Sequence, residues 1–309
     1  MDCASNDVME SLTSTSQLFN SILHILITLA TVIFSIVAFK TLRVKSIFPK
    51  ATSILLHVAL IFANSFEVVK FCIRVWAIQR SISYRNEPCE ILQESSDCKV
   101  LHLLIWGTTA ALVLSNVALT LDRIISIISP NFYYGQSVII STFLSLMVAI
   151  ISVYIPYVVF EGETWDGKVP YCMHPPDNSS TKAKIKSFRH YANSTFGKKY
   201  ERIEATVTSR TVSIISIFQF VFLGFYSTSL LFIGRLHAFF SPYTFQTLLP
   251  WIYTITYASL SLPVSIVLVV RYLSRKRRKM IKDITSLPNT HEAHMKNLEL
   301  LWATPTNFH

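Results

Sequence analysis

Asp122 and Arg123 stand side by side at the end of a long apolar run, and this pair is the clearest chemical signal in the chain. An acid next to a base at the mouth of an apolar helix is costly unless the two charges pair or reach the membrane interface. Cys98 lies 25 residues before Arg123, about one membrane thickness of helix, and Pro130 follows seven residues after it. Three of the five cysteines, Cys89, Cys98 and Cys172, fall between apolar runs, in connections that face the same side of a membrane. In an oxidising compartment a disulfide is expected there, with Cys89 or Cys98 as the partner of Cys172. Glu67 and Lys70 are three residues apart, so they share a helix face and offer either mutual neutralisation or a polar ligand contact.

Other chemistry is thin. Asn178-Ser-Ser and Asn193-Ser-Thr are acceptor triplets for N-glycosylation, and Asn178, close to Cys172, is the better placed of the two if that loop is luminal. His291 and His294 lack the HExxH arrangement, and no Cys or carboxylate cluster completes a metal site. There is no Walker loop, nucleophile elbow or paired catalytic motif. Neither an enzyme nor a cofactor is expected.

The elements that must position these residues are membrane helices. Of 309 residues, 51% are apolar and only 15% are charged, with a mean hydropathy of +0.43. A soluble domain carries about 25% charged residues, so much of this chain meets a solvent other than water. The composition excludes disordered, collagen-like and disulfide-scaffold classes. Apolar runs long enough for the hydrocarbon core extend over Leu18–Phe39, Ala51–Ile73, Val100–Leu121, Ser137–Phe160, Thr211–Gly234 and Phe245–Val270. A barrel would instead alternate in segments of about ten residues. The expected fold is therefore an all-α membrane protein with six clear spans and membrane lipid around it. The formal charge of +10 comes largely from basic residues flanking these spans, which argues for membrane orientation rather than nucleic acid.

Charge also orients the chain. The first 17 residues hold Asp2, Asp7 and Glu10 and no Lys or Arg, whereas Lys40, Arg43, Lys45 and Lys50 follow the first run. This predicts an extracellular N-terminus over residues 1–17 and a retained first span rather than a cleaved signal peptide. Arg271, Arg275, Lys276, Arg277, Arg278, Lys279 and Lys282 follow the last run, so residues 271–309 read as a basic cytoplasmic tail behind a helical bundle over 18–270. A chain that starts outside and ends inside crosses an odd number of times, yet only six runs are present. One crossing is missing, and the gap lies over Met173–Gly197, which has four basic residues and no stretch that lipid would accept.

With these residues in view, the sequence resembles the rhodopsin-like G-protein-coupled receptors. Asp122-Arg-Ile is similar to their Asp-Arg-Tyr, and the spacing to Pro130 is kept. A narrower resemblance covers most of the chain: Glu87-Pro-Cys-Glu-Ile-Leu to Asp97-Cys98, Pro170-Tyr-Cys-Met173, Lys199-Tyr-Glu-Arg-Ile-Glu-Ala-Thr206, Gln219-Phe220, Trp251-Ile-Tyr-Thr254, Leu262-Pro263 and His294-Met-Lys-Asn-Leu are similar to the nematode serpentine receptors of class alpha, a chemoreceptor family. The resemblance implies a seven-helix receptor-like bundle in the plasma membrane of chemosensory neurons, coupling a small-molecule cue to a heterotrimeric G protein. It implies a Cys98–Cys172 disulfide, and a coupling role for Asp122, Arg123 and Pro130. In that family the fifth helix falls where this chain has a short polar stretch, so the expectation is a shortened form without the fifth family helix. The Asn-Pro-x-x-Tyr and Cys-Trp-x-Pro marks of rhodopsin-like receptors are absent.

Ligand contacts are expected from His102, Ile105, Trp106 and Thr109, which recur at helical spacing, and from Trp251 and Tyr257 near the start of the last run. Ile105 stands eighteen residues before Arg123, where amine receptors place a carboxylate, which speaks against a biogenic amine and for a small, mostly apolar ligand. The same aromatics also suit a membrane-interface belt. The alternative from another class is a non-signalling polytopic membrane protein, either a decayed receptor or a small transporter.

Overall fold

A computed structural model describes residues 4, 6–44, 48–161, 165, 167–169, 172, 212–226, 228–229, 240, 242–252, 255–285 and 295. The polar stretch over 173–197, Asn178, Asn193, Lys199–Thr206, His291 and His294 lie outside the described residues. The elements run α1 (Asn6–Thr13), α2 (Thr15–Val44), α3 (Lys50–Ser83), β1 (Gln93–Glu94), α4 (Ser95–Ile128), α5 (Pro130–Val159), β2 (Lys168–Val169), α6 (Val212–Tyr226), α7 (Pro242–Ile252) and α8 (Ile255–Thr285). Among the described residues, five helices are long and apolar enough to cross a membrane: α2, α3, α4, α5 from Gly135, and α8 as far as Lys276; α6 is a shorter apolar helix. The protein is an all-α membrane protein. The run expected over Phe245–Val270 is divided between α7, which packs on α1, and α8, which supplies the span.

The first span shows why these sequences fold as they do. Gln17, Ser21, His24, Thr28, Thr31 and Ser35 recur every three or four residues and are all buried, while Phe19, Leu26, Ile33 and Ile36 on the opposite faces are more than half exposed. In water such a helix would turn over. In lipid the apolar face needs no cover, and the polar stripe goes to the helix–helix contacts. Within the stripe Thr28 and Thr31 donate to the carbonyls one turn back, His24 O at 3.0 Å and Ile27 O at 2.8 Å, so neither hydroxyl is stranded.

α3 is the central helix and packs against α2, α4, α5 and α8. Its small and branched residues, Leu56, Ala59, Leu60 and Ala63, are fully buried with Leu119 of α4, Ile215 of α6 and Ile266 of α8. α4 and α5 approach closely at Gly107, where a Cβ would lie 3.2 Å from Ser152 O. α8 continues helical through Pro263 and is tied to α6 by Gln219 Nε2, which donates to Ser261 Oγ at 2.7 Å.

Glu67 and Lys70 are buried on α3 and do share a face, but they turn to other helices. Glu67 accepts from Thr28 Oγ1 of α2 at 2.7 Å and from Ser259 Oγ of α8, and Lys70 Nζ donates to Thr256 Oγ1 of α8. One carboxylate thus joins three spans. Replacing Glu67 with alanine removes the two hydrogen bonds that tie it to Thr28 and Ser259 and leaves Lys70 without its nearest acid, so the variant is expected to lose about 2 kcal/mol of stability. Thermal unfolding in detergent checks this, with Glu67→Gln, which keeps one acceptor oxygen, falling between the two.

Candidate functional site

Two polar constructions lie at opposite ends of the bundle. At the first, α4 starts at Ser95, which puts Cys98 one turn inside the helix and facing α3. Cys98 is bonded to Cys172 across 74 residues, and the pair is packed by Ile73, Val69 and Trp76 of α3 and by Leu101 and Ile105 of α4. A short antiparallel pair beside it matches Gln93 with Val169 and Glu94 with Lys168. Gly167, at φ +98°, makes the turn into β2 that a side chain would resist, and its carbonyl receives Ser95 N–H at 2.9 Å. The choice between Cys89 and Cys98 is thereby settled for Cys98. Cys89 is disulfide-bonded as well, and Cys72 is free and exposed.

At the other end α4 stops at Ile128, and Ser129 caps it, its N–H donating to Ile125 O at 3.0 Å. Pro130 opens α5 in the first-turn position, where its missing N–H would have had no intrahelical partner anyway. This tight junction turns α5 back along α4. It brings Tyr133 and Ser141 of α5 to Asp122, which is fully buried. Asp122 Oδ1 accepts from Tyr133 OH at 2.9 Å and Ser141 Oγ at 3.2 Å, and Oδ2 receives Arg123 Nε at 3.2 Å and also Nη2. Arg123 Nη2 further donates to Thr52 Oγ1 of α3 and to Tyr133 OH at 3.3 Å. Asp122 and Arg123 thus form a buried ion pair inside a hydrogen-bonded cage.

The guanidinium is held in place rather than presented. Arg123 is 7% exposed, and three helices supply the atoms around its guanidinium. Burying both charges is tolerable only because the carboxylate has several donors and the guanidinium several acceptors. Residue type and spacing did not point to Thr52, Tyr133 or Ser141 in this role. The only available hint was Pro130, which fixes the start of α5 and so places Tyr133 one turn in.

The residues expected to meet a ligand fall into two groups. His102 of α4 is buried beside Phe160, with ring centres 6.2 Å apart, and Trp165 at 5.6 Å; Trp106 meets Phe160 edge-on at 5.9 Å. Ile105 packs by the disulfide, and Thr109 is partly buried on the same helix. Trp251 of α7 stacks on Phe19 of α2 at 6.1 Å and donates Nε1–H to Ser16 Oγ at 3.4 Å, while Tyr257 of α8 faces His24 at 6.4 Å. The first group joins α4 to the end of α5, the second joins α2 to α7 and α8. No group of three or more potential metal ligands occurs among the described residues.

The family model described as serpentine type 7TM GPCR chemoreceptor Sra matches residues 1–193 and 186–302. The chain belongs to the Sra family of serpentine chemoreceptors. It is 30% identical to the serpentine receptor class alpha-10 of Caenorhabditis elegans, with 97% of each chain covered, and 28% identical to the class alpha-10 receptor of Caenorhabditis briggsae over the same shares. The C. elegans class alpha-17 receptor is 25% identical over 98% of this chain and 97% of that one. The family match comes in two pieces that overlap at 186–193, inside the stretch over 173–197 where the sequence lacks a crossing. The class alpha-10 alignment runs over 328 positions, and 97% of this 309-residue Sra chain is about 300 residues, so roughly 28 of those positions stand opposite gaps in it. That is more than the ~20 residues of one span.

Proposed function

We propose that this Sra-family chain is a plasma-membrane chemosensory receptor that couples a small environmental ligand to a heterotrimeric G protein. In this reading residues 1–17 are extracellular, 18–270 form the helical bundle and 271–309 are a basic cytoplasmic tail. The observation that carries it is the buried Asp122–Arg123 network, which ties α3, α4 and α5 together at the end opposite the disulfide. A disulfide belongs to the oxidising side of a membrane, which makes the other end cytoplasmic. There Asp122, Tyr133 and Thr52 hold Arg123 inward in the resting form, and the short Ser129–Pro130 junction keeps α5 in register. Separation of α3 or α5 from α4 frees the guanidinium to meet the G protein.

Ligand contacts fall in two subsites, His102, Ile105, Trp106 and Thr109 on one side and Trp251 and Tyr257 on the other. Both lie toward the disulfide end and away from Arg123, so the ligand acts by shifting helices and not by touching the coupling pair. Asn178 is the proposed glycosylation site of the adjoining loop.

A second reading is favoured by the two-piece family match and by the roughly 28 alignment positions that this chain leaves empty. The chain is then a shortened, non-signalling form that lacks the fifth family helix. Epitope tags at both ends, probed in intact and permeabilised cells, separate the two. Tags on opposite sides mean an odd number of crossings and support the receptor; tags on the same side mean six, and coupling to a G protein by this form is withdrawn.

A further inference from the structure

Cys89 is disulfide-bonded, and the choice of its partner is narrow. The chain has five cysteines; Cys98 and Cys172 are bonded to each other, and Cys72 is a free, exposed thiol. Within one chain that leaves Cys3, which lies outside the described residues. A second observation points the same way. Ala4 N–H donates to Pro88 O at 2.8 Å, so the residue after Cys3 is hydrogen-bonded to the residue before Cys89. A disulfide needs α-carbons about 4.4–6.8 Å apart, and chain segments joined by a backbone hydrogen bond run about 5 Å apart.

The segment that carries Cys89 is a fixed post. Glu87 N–H returns to Tyr84 O, and the N–H groups of Glu90 and Ile91 return to Glu87 O, all at 3.1 Å, which folds the chain into a compact turn after α3. The Arg80 guanidinium of α3 donates to the carbonyls of Glu90, Ile91 at 3.4 Å and Leu92 at 2.8 Å. Lys168 Nζ of β2 donates to Cys89 O at 2.8 Å. α1, by contrast, has little of its own to hold it. It is eight residues long, short for a helix that must stand alone, and among its described side chains only Ser11 and Leu12 are buried. Its far end is tied down by Ser81 Oγ of α3, which donates to Leu12 O at 3.0 Å. Its near end has the Ala4–Pro88 hydrogen bond and, one residue before it, the cysteine.

We propose that Cys3 and Cys89 form a second disulfide, which straps α1 across the ends of α3 and α7. As it forms, the two thiols give up two protons and two electrons to a disulfide oxidant of the oxidising compartment, which leaves as a dithiol, and one S–S bond joins the two sulfurs. The ring it closes runs between residues 86 apart in sequence and contains α1, α2 and α3. α7 packs on α1 and carries Trp251, so the strap also sets where one of the proposed ligand subsites lies. The two bonds have separate tasks: Cys98–Cys172 fixes the start of α4, and Cys3–Cys89 fixes the start of α1.

The pairing is tested by peptide mapping of the purified full chain. Free thiols are capped with N-ethylmaleimide in denaturant, and the unreduced protein is cut with trypsin and a glutamate-specific protease, which separates Cys89 from Cys98 at Glu90 and Glu94. The peptide that holds Cys3 and ends at Glu10 is expected to be joined to Asn86–Glu90, the two parting on reduction, with Cys72 capped. A maleimide on Cys3 or Cys89, or Cys89 joined to any other cysteine, that of a second copy included, overturns the pairing. The strap is tested by hydrogen exchange in nanodiscs. Cys3→Ala, and the double variant Cys3→Ala, Cys89→Ala, should lose protection of the amides over Asn6–Thr13 and keep it at the start of α4. Unchanged protection of α1 in both variants means that packing alone holds the helix, and it overturns the strap. The mapping uses the unaltered chain, so it decides the pairing whatever the variants do. Neither test contains a ligand or a G protein, so failure of the strap and failure of the receptor reading are separate results.

Discussion

Replacing Arg123 with alanine is expected to abolish G-protein activation while leaving most of the receptor at the cell surface. The reasoning starts from the contacts that remain. Asp122 loses its ionic partner but keeps Tyr133 OH and Ser141 Oγ as donors, so the buried carboxylate is not left bare. A fully stranded buried charge costs about 3–5 kcal/mol; two retained hydrogen bonds to the carboxylate reduce that to about 1–2 kcal/mol. The fold survives, but the group proposed to meet the G protein is gone. Arg123→Lys separates charge from geometry, because a lysine keeps the cation and loses the planar fork that reaches Asp122, Thr52 and Tyr133 together. It should signal weakly. Tyr133→Phe works in the other direction: it removes one donor to Asp122 and one acceptor for Arg123, loosens α5 by about 1 kcal/mol and raises basal activity. Nucleotide exchange on the G protein in isolated membranes, scaled to surface-labelled receptor, measures all three. Unchanged exchange by Arg123→Ala would remove this residue from the mechanism.

The charged pair was legible in the sequence, and the cage around it was not. Asp122 and Arg123 stand out because lipid makes ionisable residues at a span end expensive, a property of residue type and position alone. Thr52, Tyr133 and Ser141 are ordinary residues on other helices, and their part depends on which helices pack together. That is set by side-chain fit between spans, which no periodicity records. The spans themselves were legible for the same reason as the charges, since about 20 apolar residues are a physical requirement. The run over Phe245–Val270 does hold a span, but it starts at Ile255 and not at Phe245, because hydropathy does not distinguish an apolar helix lying against α1 from the start of one that crosses. Gln17 and Asn20 show a further limit. A polar residue in an apolar run tells that it must find a partner, but only the packed bundle shows that Thr28 found Glu67 and that Gln17 Nε2 found none.

Removing the Cys98–Cys172 bond is expected to have the largest effect on folding. Closing a loop of 74 residues lowers the entropy of the unfolded chain by the equivalent of about 4 kcal/mol on the chain-entropy account, a large share of the roughly 5–15 kcal/mol that holds most domains together. The bond also positions structure. It fixes the start of α4 against Ile73 and Trp76 of α3 and holds β2 beside β1, and Lys168 of β2 donates to Cys89 O at 2.8 Å. The double variant Cys98→Ala, Cys172→Ala avoids stranding a hydroxyl or thiol in that apolar setting, so the loss it reports is that of the link. It should leave little receptor at the surface, and reducing agent should lower the unfolding temperature of the wild type by more than that of the variant, which keeps only the bond at Cys89. If the variant matched the wild type in both, β1, β2 and the α3–α4 contact would hold this end unaided. The Arg123 network would carry the opposite burden, because its helices are joined there by hydrogen bonds and an ion pair, and only those buffer its loss. In the proposed receptor reading, one end is locked by the disulfide and the other is adjustable through hydrogen bonds, so the disulfide variant should lose surface receptor and the Arg123 variant should lose signal.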